Sequence, residues 1–309
     1  MRNMMILTMV ALAACSGSDV PPLAPGAPAV PIDPSGYATA GAFLSCLEGD
    51  VPLVSAHRGG PAPGYPENSL EAFARTLAQV PALIETDVRQ TKDGILVLFH
   101  DDDLDEKTNG QGPLAEKTYT ELQKLRLRDP RGMLTDAAIP TLDEALRMLR
   151  GKTIVQLDVK RGVPLRAVVR AVQDNDAEAY AGIITYTDNG AAIVARASDE
   201  MTIFPGAEDM DDLAALNRAG AANERLVIWT GISRGSVDTR FIRELDNRDI
   251  PASGGALGTL DDRAARGERG VYRALVQDGI DIIATDRPVE AAKALGIPTT
   301  AAGIEACTL

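Results

Sequence analysis

Nine short apolar runs rich in β-branched residues recur along this chain, at 51–56, 82–87, 95–100, 153–159, 182–187, 201–206, 226–231, 250–256 and 280–285. Continuous rather than alternating apolarity suits strands buried on both faces, as in a parallel sheet. Parallel neighbours need a crossover, and helical signals stand between most of the runs. Asn68 or Ser69 can cap a helix over LEAFARTLAQ, with Glu71 in its first turn. Thr141 and Glu144 make a capping box that opens LDEALRMLR, and Gly151 closes it. Repeated βα units with no second break in composition predict one α/β domain, a (β/α)8 barrel. Nine runs exceed eight places, and VRQTKDG at 88–94 is too short for a crossover helix. One run therefore lies outside the barrel. The polar stretch 101–140, with one weak helix over 119–125, is expected to be an insertion over one mouth.

Four consecutive runs end in ionisable residues: His57 and Arg58, Glu85 and Asp87, His100 and Asp101, Asp158 and Lys160. The C-terminal tips of barrel strands share one face, where the chemistry of such barrels is carried out. The chain has only two histidines, and both stand at such tips. Glu85, Asp87 and Asp158 offer an all-oxygen cage for one hard divalent cation, Ca²⁺ or Mg²⁺. His57 and His100 suit proton transfer near neutral pH, one taking a proton while the other gives one. Arg58 and Lys160 supply fixed positive charge for an anion, although Lys160 also has Asp158 as a potential ion-pair partner. Cation, imidazoles and fixed positive charge together fit phosphoryl transfer. Trp229 is expected to wall the pocket near the mouth. The acidic runs DDDLDE and EDMDD are expected to be solvated loops. A net charge of −13 argues against nucleic acid or an anionic membrane surface as the main partner, and no protein partner is predicted.

The N-terminus has the marks of an export signal. Arg2 precedes a short apolar stretch, 4–14, too brief to span a bilayer. Its end, Leu12-Ala13-Ala14-Cys15, resembles the lipobox of bacterial lipoproteins, in which the cysteine is lipidated and becomes the first mature residue. The expected organisation is a signal over 1–14, a lipidated Cys15 with a Pro/Ala-rich tether over 15–45, and a catalytic domain over 46–309. Such a chain is exported and membrane-anchored, facing the periplasm or the cell surface. Cys46 and Cys307 would then sit in an oxidising setting, either paired across the ends of the domain or as separate thiols.

Six motifs in order, HRGG followed by YPENSLEAF, ETDVRQTKDGILVLFHDD, KTNGQG, IPTLDEAL, QLDVK and DGIDIIATDRP, span about residues 51–290. In order and spacing this stretch resembles the glycerophosphodiester phosphodiesterases. The resemblance implies a TIM barrel with an insertion after the third strand, and hydrolysis of small-molecule glycerophosphodiesters to glycerol phosphate and an alcohol. It casts His57 and His100 as the acid/base pair, Glu85, Asp87 and Asp158 as metal ligands, and Arg58 and Lys160 as phosphate contacts. The insertion would shape the glycerol side. Asp158 stands where the family usually has glutamate, Lys107 where arginine is common, and ASGGALGTLDDR at 252–263 departs from the commoner pattern. A sphingomyelinase D or phospholipase D-like enzyme on the same fold is the alternative, and an inactive lipid-anchored binding protein a third. The insertion motifs favour the first reading, and none of the histidines or ligand carboxylates is missing.

Overall fold

A computed structural model describes residues 31–47, 52–232 and 238–297. Its strands are β1 Leu53–Ala56, β2 Leu83–Gln90, β3 Leu96–Leu98, β4 Val155–Val159, β5 Ala181–Thr185, β6 Ile203–Pro205, β7 Ile228–Ile232, β8 Ala252–Gly255 and β9 Ile282–Thr285. Eight of them follow one parallel path, β6-β5-β4-β2-β1-β9-β8-β7. Its two ends meet through parallel bridges, Ile203 with Leu226 and Gly206 with Trp229, which bring the eight strands round into a nearly closed α/β barrel of the TIM type.

The ninth run is β3. It folds back on β2 as an antiparallel hairpin, pairing Val88 with Leu98 and Gln90 with Leu96. The tight return through 91–94, closed by the Thr91 amide donating to the Ile95 carbonyl at 2.9 Å, explains why no crossover helix was needed. The insertion thus follows the third strand in chain order but the second stave of the barrel. It carries its own small core around Phe99, Leu104, Leu122 and Leu127.

Continuous apolarity has its cause in two separate burials. Val54, Ile84, Val155, Ile183, Ile203 and Ile283 pack with the surrounding helices, whereas Leu53, Leu83, Ile154, Val227 and Ile282 belong to a second cluster at the N-terminal strand ends. That second cluster also contains Ile32, Phe43, Leu44 and Leu47. The helix Ala40–Cys46 closes the bottom of the barrel, so residues 32–45 are part of the fold and not of a tether. The N-terminal side is apolar at the positions that matter, and burying it against the strand ends outweighs the Pro/Ala/Gly composition that suggested a linker. Thr39 caps this helix and donates through Oγ1 to the Glu224 carbonyl at 2.6 Å, while the Gly41 amide donates to Thr202 Oγ1 at 2.9 Å. A Cβ on Gly41 would lie 2.7 Å from the Glu224 oxygen, so only glycine lets the helix come this close.

Cys46 is disulfide-bonded. Cys15 and Cys307 lie outside the described residues, as does the signal segment. Among the described residues no helix is long and apolar enough to cross a membrane.

Candidate active site

At the top of β1 the chain turns sharply through His57–Gly59, with Arg58 at φ 51° and Gly59 at φ 81°. A Cβ on Gly59 would strike the Phe73 ring at 2.2 Å, which is the physical demand behind the first glycine of HRGG. The turn aims His57 into the barrel mouth and presents the Arg58 amide to Glu85 Oε2 at 2.7 Å. His57 Nδ1 meets Asp286 Oδ1 at 2.6 Å, just beyond β9. Burial works against the imidazolium, but the Asp286 hydrogen bond and the charges of Glu85 and Asp286 outweigh it and raise the pKa. Asp286 is in turn held by buried Asp261, whose Oδ2 accepts from the Asp286 amide at 2.8 Å and whose Oδ1 accepts from Thr285 Oγ1 and Tyr272 OH. Burial pushes the Asp261 carboxyl up.

The three carboxylates converge as the strand tips require. Asp87 and Asp158 are register partners on β2 and β4, and Glu85 points to the same side two residues earlier. One oxygen from each of Glu85, Asp87 and Asp158 lies within 4.8 Å of the others, and all three residues are buried. Burial and the neighbouring Asp87 charge raise the Glu85 pKa. Burial alone would raise Asp87 too, but Lys160 and the Asn68 amide hold it below the usual carboxylate range. Lys160 Nζ lies 2.6 Å from both Asp87 Oδ1 and Asp158 Oδ2, so it bridges two carboxylates rather than pairing with Asp158 alone. Tyr186 OH donates to Asp158 Oδ1 at 2.8 Å. Buried carboxylates this close repel unless a cation or donors compensate, and an all-oxygen donor set fits a hard divalent ion.

Asn68 is not the helix cap; Ser69 is, accepting from the Ala72 amide. Asn68 instead takes φ 54° and turns inward, donating Nδ2 to Asp87 Oδ2 at 2.7 Å and accepting from Thr86 Oγ1 and the Asp87 amide. Arg58 reaches Glu67 at 3.1 Å and lies 3.5 Å from Asp87 Oδ2, and Lys107 from the insertion reaches the other Glu67 oxygen at 3.2 Å.

His100 comes to the mouth on the β3 hairpin, where the Phe99 amide donates to the Asp87 carbonyl at 3.0 Å. Its Nδ1 meets Asp101 Oδ1 at 2.7 Å, and Arg89 donates to its carbonyl. The acidic runs are therefore more than solvated loops: Asp101 holds His100, Asp102 pairs with Arg89, and Asp209 caps the helix Met210–Arg218. A cavity of about 330 Å³ opens at the mouth, bordered by His57, Glu85, Asp158, Tyr186 and Trp229. His100 does not line that cavity; it borders an open depression with Arg89 and Asp102. Sequence reasoning did not single out Asp286, Asp261, Asn68 or Tyr186. Asp286 had the same signal as the others, a carboxylate at the tip of a run.

Residues 57–249 match the model of the glycerophosphoryl diester phosphodiesterase family. The crystal structure of a glycerophosphoryl diester phosphodiesterase from Parabacteroides distasonis is 34% identical with a TM-score of 0.76, over 85% of this chain and 94% of that one. A glycerophosphodiester phosphodiesterase of Caldanaerobacter subterraneus is 38% identical over 115 residues, 37% of this chain and 47% of the relative, so the match spans about half of that relative's length. A phosphodiesterase of Oleispira antarctica, solved in complex with the product sn-glycerol-3-phosphate, shares the fold at 23% identity and a TM-score of 0.60, over 80% of this chain and 97% of that one. By the extent of the family match and of the Parabacteroides likeness, this chain belongs to the glycerophosphoryl diester phosphodiesterase family.

Proposed function

We propose that this protein hydrolyses glycerophosphodiesters to glycerol phosphate and an alcohol, with a divalent cation held by Glu85, Asp87 and Asp158. The observation that carries this reading is the convergence of those carboxylates within 4.8 Å of one another, two of which, Glu85 and Asp158, line the same cavity as His57. When bound, the cation would withdraw charge from the phosphate oxygens. His57 and His100 are the acid/base pair. Each has its Nδ1 engaged by an aspartate, Asp286 or Asp101, which leaves Nε2 as the nitrogen that handles a proton. One takes the proton of the attacking hydroxyl, and the other protonates the departing alcohol. Arg58 and Lys160 add positive charge against the phosphate. The family membership and the product bound to the Oleispira antarctica relative support the substrate class.

The test is a panel of glycerophosphocholine, -ethanolamine, -inositol, -glycerol and intact sphingomyelin, with Ca²⁺, with Mg²⁺ and with chelator. Cation-dependent release of glycerol phosphate from the deacylated diesters is expected; cleavage of sphingomyelin alone, or full activity in chelator, overturns the reading. We also propose that Cys15 carries a lipid that anchors the exported protein, a reading supported by the LAAC sequence and by the disulfide at Cys46.

A further inference from the structure

Asp158 stands in register with Asp87 on β2 and with Ile184 on β5. Lys160 lies two residues past Asp158, and Tyr186 two residues past Ile184, so both belong to the layer just above that carboxylate. Both reach back to it. Lys160 Nζ holds Oδ2 and Tyr186 OH holds Oδ1, so each oxygen has one donor among the described side chains. A carboxylate oxygen offers about two acceptor directions, which leaves one on each oxygen for a cation.

The two donors are not alike. Lys160 is divided, because its Nζ also lies 2.6 Å from Asp87 Oδ1, and the reading above turns its charge towards the phosphate. Tyr186 has no other hydrogen-bond or ion-pair partner among the described residues, so its hydroxyl serves Asp158 alone. It is also neutral. Affinity for a hard cation depends on the charge of its ligands and on the rigidity of the site. A second cationic side chain on Asp158 would cancel ligand charge, whereas a phenol fixes the carboxylate and leaves that charge in place. The residue is 74% exposed, the highest value among the exposed large apolar side chains described. Packing therefore contributes little to holding the ring over the mouth; the hydrogen bond to Asp158 holds it.

We infer that Tyr186 is a positioning residue for the cation. Its hydroxyl locks Asp158 in the orientation that brings a carboxylate oxygen within 4.8 Å of those of Glu85 and Asp87. Without that donor the carboxylate is free to turn about its side-chain torsions, and ordering it again would cost binding free energy. The inference rests on the cation of the phosphodiesterase reading above, and not on the identity of the diester.

Calorimetric titration of the whole protein with Ca²⁺ and with Mg²⁺ tests it. Loss of a group that orients a metal ligand weakens metal binding about tenfold to a hundredfold, and Tyr186→Phe should do so for the better-bound ion. Asp158→Glu lengthens the arm by one methylene and carries the carboxylate away from a hydroxyl placed for aspartate. In that background Tyr186→Phe should change the dissociation constant by less than about a factor of two. A Tyr186→Phe protein that binds both ions as wild type does, whatever its melting temperature, overturns the inference. An equal loss in both backgrounds overturns it too, since the hydroxyl would then act elsewhere than on Asp158. If Asp158→Glu binds no ion, the ultraviolet difference spectrum decides. The cation, by drawing on Asp158, should shift a tyrosine band in wild type that Tyr186→Phe lacks. The same band in both proteins, or none in wild type, overturns the inference. A wild-type protein that binds neither ion overturns the cation of the reading above, and this role of Tyr186 with it.

Discussion

His57 is set by a chain of contacts that starts three side chains away. Tyr272 and Thr285 hold Asp261, Asp261 holds the Asp286 amide, and Asp286 holds His57 Nδ1. A carboxylate on Nδ1 fixes the tautomer and stabilises the imidazolium as it forms. Asp286→Asn keeps the shape and removes the charge, so kcat should fall on the order of 10²- to 10⁴-fold. The substrate KM and the circular dichroism spectrum should be little changed; a kcat within a factor of two of wild type would remove Asp286 from the mechanism. The carboxylate cage predicts the opposite pairing of stability and function. Burial and the Asp87 charge raise the Glu85 pKa to about 8, so at neutral pH the cation-free fold holds a proton that the unfolded chain releases, and this costs stability. Glu85→Gln should therefore abolish cation binding, read by calorimetry, and melt no lower than wild type in chelator. The residues of the candidate site were legible because each stands at the end of an apolar run: two scarce histidines and three carboxylates at strand tips leave few other arrangements. The supporting residues were not. Asn68 has a normal cap sequence, and only its left-handed backbone turns it onto Asp87. Tyr186 and Asp261 act through contacts between elements that no local spacing records.

Strand and helix signals survived the passage to three dimensions where they were local. The Thr141–Glu144 capping box forms as expected, with both reciprocal hydrogen bonds in place. The surplus run was visible as a surplus, but its identity depended on a hairpin pairing with β2 that periodicity does not encode. The helix Ala40–Cys46 was missed because seven residues beside a Pro-rich stretch carry little helical signal, and its burial is a tertiary effect. That helix makes a clean prediction. Phe43 is buried in the bottom cluster, far from the strand tips, so Phe43→Ala should cost about 3 kcal/mol in chemical denaturation and leave kcat unchanged. The same end of the barrel carries a pH dependence. Asp281 leads into β9, and its Oδ2 accepts from the Ala252 amide at the start of β8. Burial, helped by the Asp246 charge, pushes its pKa up to about 6. The unfolded carboxyl ionises near pH 4, so between there and pH 6 the folded state binds more protons and stability falls as pH rises. Asp281→Asn retains an acceptor for Ala252 and loses the charge. It should gain up to about 2 kcal/mol at pH 7.5 and nothing at pH 4, measured by denaturant titration at both.

At the scale of the molecule, the two ends of the barrel have different tasks. The described chain enters at the closed end: the Ile32 amide donates to the Lys152 carbonyl, and the helix that follows packs under the N-terminal strand ends. The candidate site lies at the opposite end, at the strand tips. If Cys15 carries the proposed lipid, the intervening segment 16–31 is Pro/Ala/Gly-rich and reaches roughly 50 Å when extended. Anchored there, the barrel is tethered by its floor, and its mouth can face the surrounding water rather than the bilayer. A site so placed suits deacylated, water-soluble diesters that diffuse to it, and it gains nothing from a lipid surface. Two outcomes follow. Cys15→Ser should move the protein from the membrane fraction to a soluble or unprocessed form. Anchored and released proteins should have the same kcat/KM on a soluble diester, within a factor of two, with or without phospholipid vesicles. A several-fold rise on vesicles would place the mouth against the membrane and refute this orientation, whereas retention of a normally processed Cys15→Ser protein in the membrane would refute the anchor itself.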